Sequence, residues 1–206
     1  MPRRLLPLAA ALLLLVTLGA CSGDGGGEAS GSAPSPSGDE RIPTSGGIPG
    51  GPAPEGIDGV TAFTIPSRNH TEAPLAYDHL PPAGGDHYPV PATCGFYSTG
   101  VPPTELIVHS LEHGAIWVAY GPDVPEDQLD TLRELAAQET KFIATPFDGM
   151  DSPITVTAWA RQMPLDDVGD PRLRQFIDTY RNGPEAPEPG AACQGAGDPE
   201  VPAPSA

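Results

Sequence analysis

Apolar positions are spread very unevenly along this chain of 206 residues. Residues 5–18 form an almost unbroken run of Leu, Ala and Val behind Arg3 and Arg4. From residue 22 to about residue 58 hardly an aliphatic side chain occurs, and Gly, Ser, Pro, Ala and scattered acids take over. Readable periods return after residue 60. Residues 115–120 are a β-rich apolar run closed by Gly121-Pro122. Asp123-Val124-Pro125-Glu126 reads as a capping box, with Leu129, Leu132, Leu135 and Ala136 at helical spacing behind it. Residues 141–147 and 154–159 read as two strands separated by a turn region at Asp148-Gly149. Asp170-Pro171 is a cap followed by proline at the first helical position. Leu173, Phe176, Ile177 and Tyr180 then give that helix its buried face, and Gly183-Pro184 stops it. The order strand–helix–strand–strand–helix predicts an α+β fold, a small sheet covered by two helices. Residues 60–103 are proline-rich; one strand is expected at 60–65, and the pattern predicts no layout for the remainder.

The N-terminal run has the parts of an export signal in order: two arginines, an apolar stretch, then Leu18-Gly19-Ala20-Cys21 with small residues before a cysteine. The tetrapeptide reads as a lipobox, in which Cys21 is acylated and becomes the mature N-terminus. A retained transmembrane anchor is the alternative, but the run is short against the roughly 20 residues a span needs. The expected organisation is a lipoprotein signal peptide at 1–20 and a flexible tether at 21–58. A folded domain at 59–195 and a disordered tail at 196–206 complete it. A Gly/Ser/Pro-rich tether buries too little apolar surface to offset its ordering entropy, and about 35 coil residues reach roughly 30–35 Å. The protein is therefore expected in the cell envelope, lipid-anchored on the outer side of the cytoplasmic membrane, with the membrane as its first partner.

The formal charge is −17, and removing residues 1–20, which carry two arginines and no acid, makes it −19. Such a surface repels nucleic acid and anionic headgroups. No phosphate loop, Ser/His/Asp order or Cys-x-x-Cys motif occurs.

All five histidines lie between residues 70 and 113. His109 and His113 stand four apart in Val108-His109-Ser110-Leu111-Glu112-His113-Gly114. On a helix they share a face and chelate one ion; on a strand they stand about 13 Å apart and cannot. Thr104 as cap, Ile107 and Leu111 on one face, and Gly114 as terminator favour the helix. His-x-x-Glu-His also matches the inverted zincin pattern of a metallopeptidase. Against that stand the brevity of the pattern, the small domain and a β run directly after Gly114. Glu185 and Glu188 are formally available as distal ligands, but their Pro-rich setting gives no helix. His70, His79 and His87 sit in Pro/Gly-rich loops, where a histidine is more often a hydrogen-bonded surface residue than a ligand.

Taken together, several segments resemble a bacterial envelope family classed as a domain of unknown function, DUF3105. They are Asn69-His70, Tyr77, Pro81-Pro82-Ala83-Gly84-Gly85-Asp86-His87, Cys94-Gly95-Phe96-Tyr97, residues 108–120, Ala158-Trp159 and residues 187–193. The resemblance spans about residues 70–193. Ala83 stands where the family often has Thr or Val, and Asp86 where Pro or Asn is common; neither is a candidate ligand. The resemblance implies one fold unit in which His70, His87, His109, Glu112 and His113 act together, and it brings no activity. His79 lies outside its frame.

Once Cys21 is lipidated, Cys94 and Cys193 remain as a pair, expected to form a disulfide in an exported domain. Two free thiols available to a metal are the alternative. The expected function is binding of a transition metal, copper or zinc, with His87, His109 and His113 as core ligands and His70 or Glu112 as a fourth. Met150 and Met163 are further candidate soft donors for reduced copper, although Met163 is better placed to pack beside the last strand. Two other classes stay open: a structural or interaction module with an unidentified protein partner, and a small metal-dependent hydrolase.

Overall fold

The computed structural model describes residues 41–205. The signal segment, Cys21 and the first part of the expected tether lie outside the described residues.

The domain is α+β, with three helices and an eight-stranded, mostly antiparallel sheet. Its centre is the apolar run, now β6 (Ile116–Tyr120), flanked by β7 (Phe142–Pro146) in parallel and β8 (Ile154–Ala158) antiparallel. A parallel neighbour needs a crossover, supplied by α2 (Glu126–Gln138). Every residue of β6 is buried. Ile116, Val118 and Tyr120 pack under α2 and α3 (Pro171–Tyr180), while Trp117 and Ala119 face the opposite side. Burial on both faces is why this strand reads as a continuous apolar run.

The expected small sheet covered by two helices is not what forms, although α2 and α3 do share one face. The second face is covered by α1 (Thr104–Glu112), whose Ile107, Val108 and Leu111 pack with Trp117, Ile143 and Trp159. Nor is the sheet small. β9 (Arg161–Leu165) forms a hairpin with β8 through Trp159-Ala160, Ala158 pairing with Arg161. The sheet continues through β3 (Thr61–Thr64) to β2 (Ile48–Pro52). On the other edge come β5 (Gly95–Phe96) and β10 (Val201–Pro202). Separately, β1 (Ile42–Thr44) and β4 (Leu75–Tyr77) form a two-stranded parallel sheet.

Two boundaries therefore move. Residues 41–58, expected as tether, carry β1 and β2, and the expected disordered tail carries β10. Apolar burial does not order the N-terminal strap, since Ile42 and Ile48 are both about half exposed. Backbone pairing does: the Gly46 N–H donates to Asp78 Oδ1 at 2.9 Å, and the Ala83 N–H donates to the Gly46 carbonyl at 2.7 Å. Saturating backbone groups is a driving requirement that leaves no hydrophobic period behind it.

The caps divide. Asp170 accepts from the Arg172 N–H, with proline next, as expected. Neither Asp123 nor Thr104 caps: α2 follows Pro125 and α1 follows Pro103, without a side-chain cap bond in either case.

Candidate metal centre

α1 is buried along nearly its whole length, which is unusual for a segment carrying two glutamates and a histidine. His109 and Glu112 sit one turn apart on it. His113 follows as its C-cap, still close enough to helical to donate its N–H to the His109 carbonyl at 3.2 Å. Gly114 (φ 87°) then turns the chain away. A Cβ there would stand 2.8 Å from Asn182 Cα, so a side chain is excluded by space as well as by conformation. The helix on which the chelating pair depends is present, and Nε2 of His109 lies 3.0 Å from Nε2 of His113.

The other two histidines come from the proline-rich loops. His70 and His87 lie side by side in a parallel β-bridge, with the Thr71 N–H donating to the His87 carbonyl and the His87 N–H to the Asn69 carbonyl. Asp86 fastens the same loops by accepting from the Asn69 N–H at 2.7 Å. Gly85 (φ 119°) makes the bend tight: a Cβ would stand 2.2 Å from the Ser45 carbonyl oxygen. The Gly-Gly-Asp-His run is thus a built corner rather than a free turn.

These elements bring His70, His87, His109 and Glu112 into one group. Each offers a donor atom, and the four atoms lie within 4.8 Å of one another, a grouping that fits a metal ion. His113 stands outside that quartet and joins it through His109. Nε2 of His87 lies 2.9 Å and Nε2 of His70 3.7 Å from Glu112 Oε2. Arg68 donates to Glu112 Oε1 at 3.1 Å. His87 is fully buried, His109, Glu112 and His113 nearly so, and only His70 reaches solvent, with half its side chain exposed.

The second nitrogen of each buried ring fixes the chemistry. Nδ1 of His87 lies 2.8 Å from the Gly85 carbonyl, that of His109 2.6 Å from the Tyr88 carbonyl, and that of His113 2.6 Å from the Ala192 carbonyl. A carbonyl only accepts, so each Nδ1 carries the proton and donates. In the neutral rings every Nε2 is then left with a free lone pair. Two lone pairs face each other at 3.0 Å between His109 and His113, and another faces a carboxylate oxygen at 2.9 Å. Such contacts are repulsive until a proton or a cation lies between them. Burial, with the neighbouring imidazoles adding to it, pushes the His109 ring below its ordinary value, against the hydrogen bond to Tyr88. The neutral, ligating form of His109 is favoured.

The remaining sequence candidates go elsewhere. His79 faces Gln162 Oε1 at 2.9 Å and lies tilted against the Phe63 ring, away from the group. Met163 is buried in the core on the opposite sheet face, Met150 packs near Phe147, and Glu185 pairs with Arg161. Glu188 does approach, its Oε2 3.6 Å from His113 Nε2. Cys94 and Cys193 form a disulfide with Cα atoms 5.5 Å apart, which removes both thiols as ligands.

Three participants escaped the spacing argument. Trp159 presents its ring to His87 edge-on at 6.2 Å. Buried Lys141 donates from Nζ to the His113 and Ala191 carbonyls, tying the end of α1 to the C-terminal segment. Arg68 faces Glu112, as above. Lys141 left a trace in the sequence as a charge opening an apolar strand, and Trp159 as part of the family resemblance; Arg68 left none.

Over residues 69–195 the chain matches a family model described as "Protein of unknown function (DUF3105)". No curated protein and no solved structure matches it.

Proposed function

For a chain that belongs to the DUF3105 family, whose description names no activity, we propose transition-metal binding at the histidine cluster, copper or zinc being the ion. The proposed ligands are His87, His109 and His113, with His70 or Glu112 as the fourth. One observation carries the reading: three buried imidazoles donate Nδ1–H to backbone carbonyls, His109 and His113 turning Nε2 toward each other and His87 turning Nε2 toward the buried Glu112 carboxylate. Metal-binding histidines are oriented in this way, the second nitrogen fixing tautomer and ring plane. A set of imidazoles with one carboxylate suits zinc and copper(II), and among the described residues both cysteines are paired in the disulfide, which argues against a site built for copper(I). We further propose that the protein is exported and held at the membrane through lipid on Cys21. No helix of the described residues is long and apolar enough to cross a membrane.

The purified, chelator-stripped full-length protein in detergent is to be titrated with copper(I), copper(II) and zinc(II) against a competing chelator. Binding at micromolar affinity or tighter is expected for at least one of them. Alanine at His87, His109 or His113 should weaken it at least tenfold, and His79→Ala should not. If none of the three ions binds, or His79→Ala weakens binding as much as His109→Ala, the reading fails.

A second reading has its own support. Among the described residues no buried side-chain nitrogen or oxygen lacks a hydrogen-bond partner, so protons alone can close the cluster. The histidines would then pin loops to α1 in a structural or interaction module, and the same titration separates the two.

A further inference from the structure

The polar donors around α1 exceed what one ion uses, and they fall into two sets. In the first, Glu112 Oε2 lies 2.9 Å from His87 Nε2 and 3.7 Å from His70 Nε2. In the second, His113 Nε2 lies 3.0 Å from His109 Nε2 and 3.6 Å from Glu188 Oε2. Ligands held about 2.0–2.2 Å from a tetrahedral ion stand roughly 3.3–3.6 Å from each other. The 3.7 and 3.6 Å pairs stand close to that spacing and the 2.9 and 3.0 Å pairs a few tenths of an ångström inside it, and each set is composed of two imidazoles and one carboxylate.

We infer that the centre holds two ions side by side, one on His70, His87 and Glu112 and the other on His109, His113 and Glu188. This rests on the metal reading above and extends it. With a single ion bound, the donors gather as already described; a second equivalent redistributes them, because the one free lone pair of His109 serves only one ion. The sets meet through the stacked rings of His70 and His109, 17° apart in plane with centroids 4.9 Å apart.

Glu188 belongs to the second set by construction of the chain. Its N–H donates to the Glu112 carbonyl at 3.0 Å, and the Gly190 N–H donates to the His113 carbonyl, so the C-terminal segment lies along the end of α1. The disulfide at Cys193 holds that segment in place. Among the described residues the one ion-pair partner of the Glu188 carboxylate is His113, and its side chain is 55% exposed. Two adjacent dications repel each other; one carboxylate in each set and a chain of formal charge −17 offset this. Three protein donors per ion leave positions for water.

The test counts ions. Stripped full-length protein in detergent is loaded with excess zinc(II), passed through a desalting column and measured by native mass spectrometry and elemental analysis. Two ions per chain are expected for the wild type and one for Glu188→Gln. That substitution lies at an exposed side chain and is checked for an unchanged thermal midpoint. With two equivalents of copper(II), the wild type should give a broadened, dipole-coupled electron paramagnetic resonance signal, and Glu188→Gln an isolated one. One ion per wild-type chain, or two ions retained by Glu188→Gln, overturns the two-ion inference and leaves the metal reading standing. No ion in the wild type overturns both.

Discussion

Replacing Cys193 with Ser tests whether the C-terminal segment is part of the centre or merely adjacent to it. The bridge closes a loop with a sequence separation of 99 residues. In the chain-entropy model a loop of that size is worth about 4.7 kcal/mol, and measured bridges more often give about 2–4. For a domain of this size each kcal/mol moves the melting temperature by about 2–4 °C, so a fall of roughly 5–15 °C is expected by calorimetry. The second effect is chemical. Ala192, whose carbonyl accepts from His113 Nδ1 at 2.6 Å, is the residue before the bridge. Freeing the segment releases that ring to rotate or change tautomer, and losing such a partner weakens metal binding about 10–100-fold. Cys94→Ser and the double substitution should reproduce both effects without adding to them. Limited proteolysis should cut near residues 186–195 in the variants only. A melting temperature within 2 °C of wild type together with unchanged metal affinity would refute the reasoning, because it would show the segment docked without its staple.

Metal affinity should fall as pH drops below about 6.5, because imidazole ligates only when neutral. His109 is displaced below its ordinary value, so the unfolded chain takes up that proton first. Apo-protein stability is then fully present above about 6.5 and declines as pH falls toward the folded value; an affinity flat from pH 7.5 to 5 contradicts this. Arg161, by hydrogen bonding, holds Glu55 down to about 2 from 4.5. That contribution is present above 4.5 and lost as pH falls toward 2; with the pair screened by solvent, Glu55→Gln should cost about 1 kcal/mol at neutral pH and flatten the acid limb of chemical denaturation; an unchanged acid limb contradicts it. Mass spectrometry of membrane-extracted protein should show a diacylated or triacylated Cys21 as N-terminus, and an intact, unacylated N-terminus contradicts the lipid anchor.

Those elements whose burial leaves a period in the side chains were legible before the structure. β6 announced itself as five apolar residues buried on both faces, and α3 by its cap, its proline and one apolar stripe. β9 did not: its hairpin turns on Trp159-Ala160, with Ala160 at φ 59°, instead of the Asn-Gly or Asp-Gly that marks such turns. Its first two residues, Arg161 and Gln162, are polar yet buried by Glu55, Thr157 and the Pro81 carbonyl. β1 and β2 are held through backbone groups that every residue carries, so no letter distinguishes them from tether. In the centre, the four-residue spacing was enough to set His109 beside His113. Bringing His87 and His70 across needed the family resemblance, since nothing local to a Pro/Gly loop says where it docks. Glu188 was passed over because its Pro-rich setting gives no helix to carry a ligand. Docked along the end of α1, that run is instead what brings the carboxylate to His113.

The three carbonyls that hold the buried rings have a consequence for how this centre can change. A carbonyl oxygen of the main chain has no side chain to substitute and does not titrate in any aqueous range, so the acceptors at Gly85, Tyr88 and Ala192 survive every single replacement that leaves the chain path intact. Ring orientation here is a property of loop geometry, inherited from the Gly85 corner and the course of residues 186–193. An engineer wishing to present Nδ1 of His113 in place of Nε2 would have to free or reroute that segment, because no side-chain change at Ala192 itself deletes its acceptor. The ligands themselves can be exchanged one residue at a time, whereas the frame that aims them can be altered only by redrawing two loops.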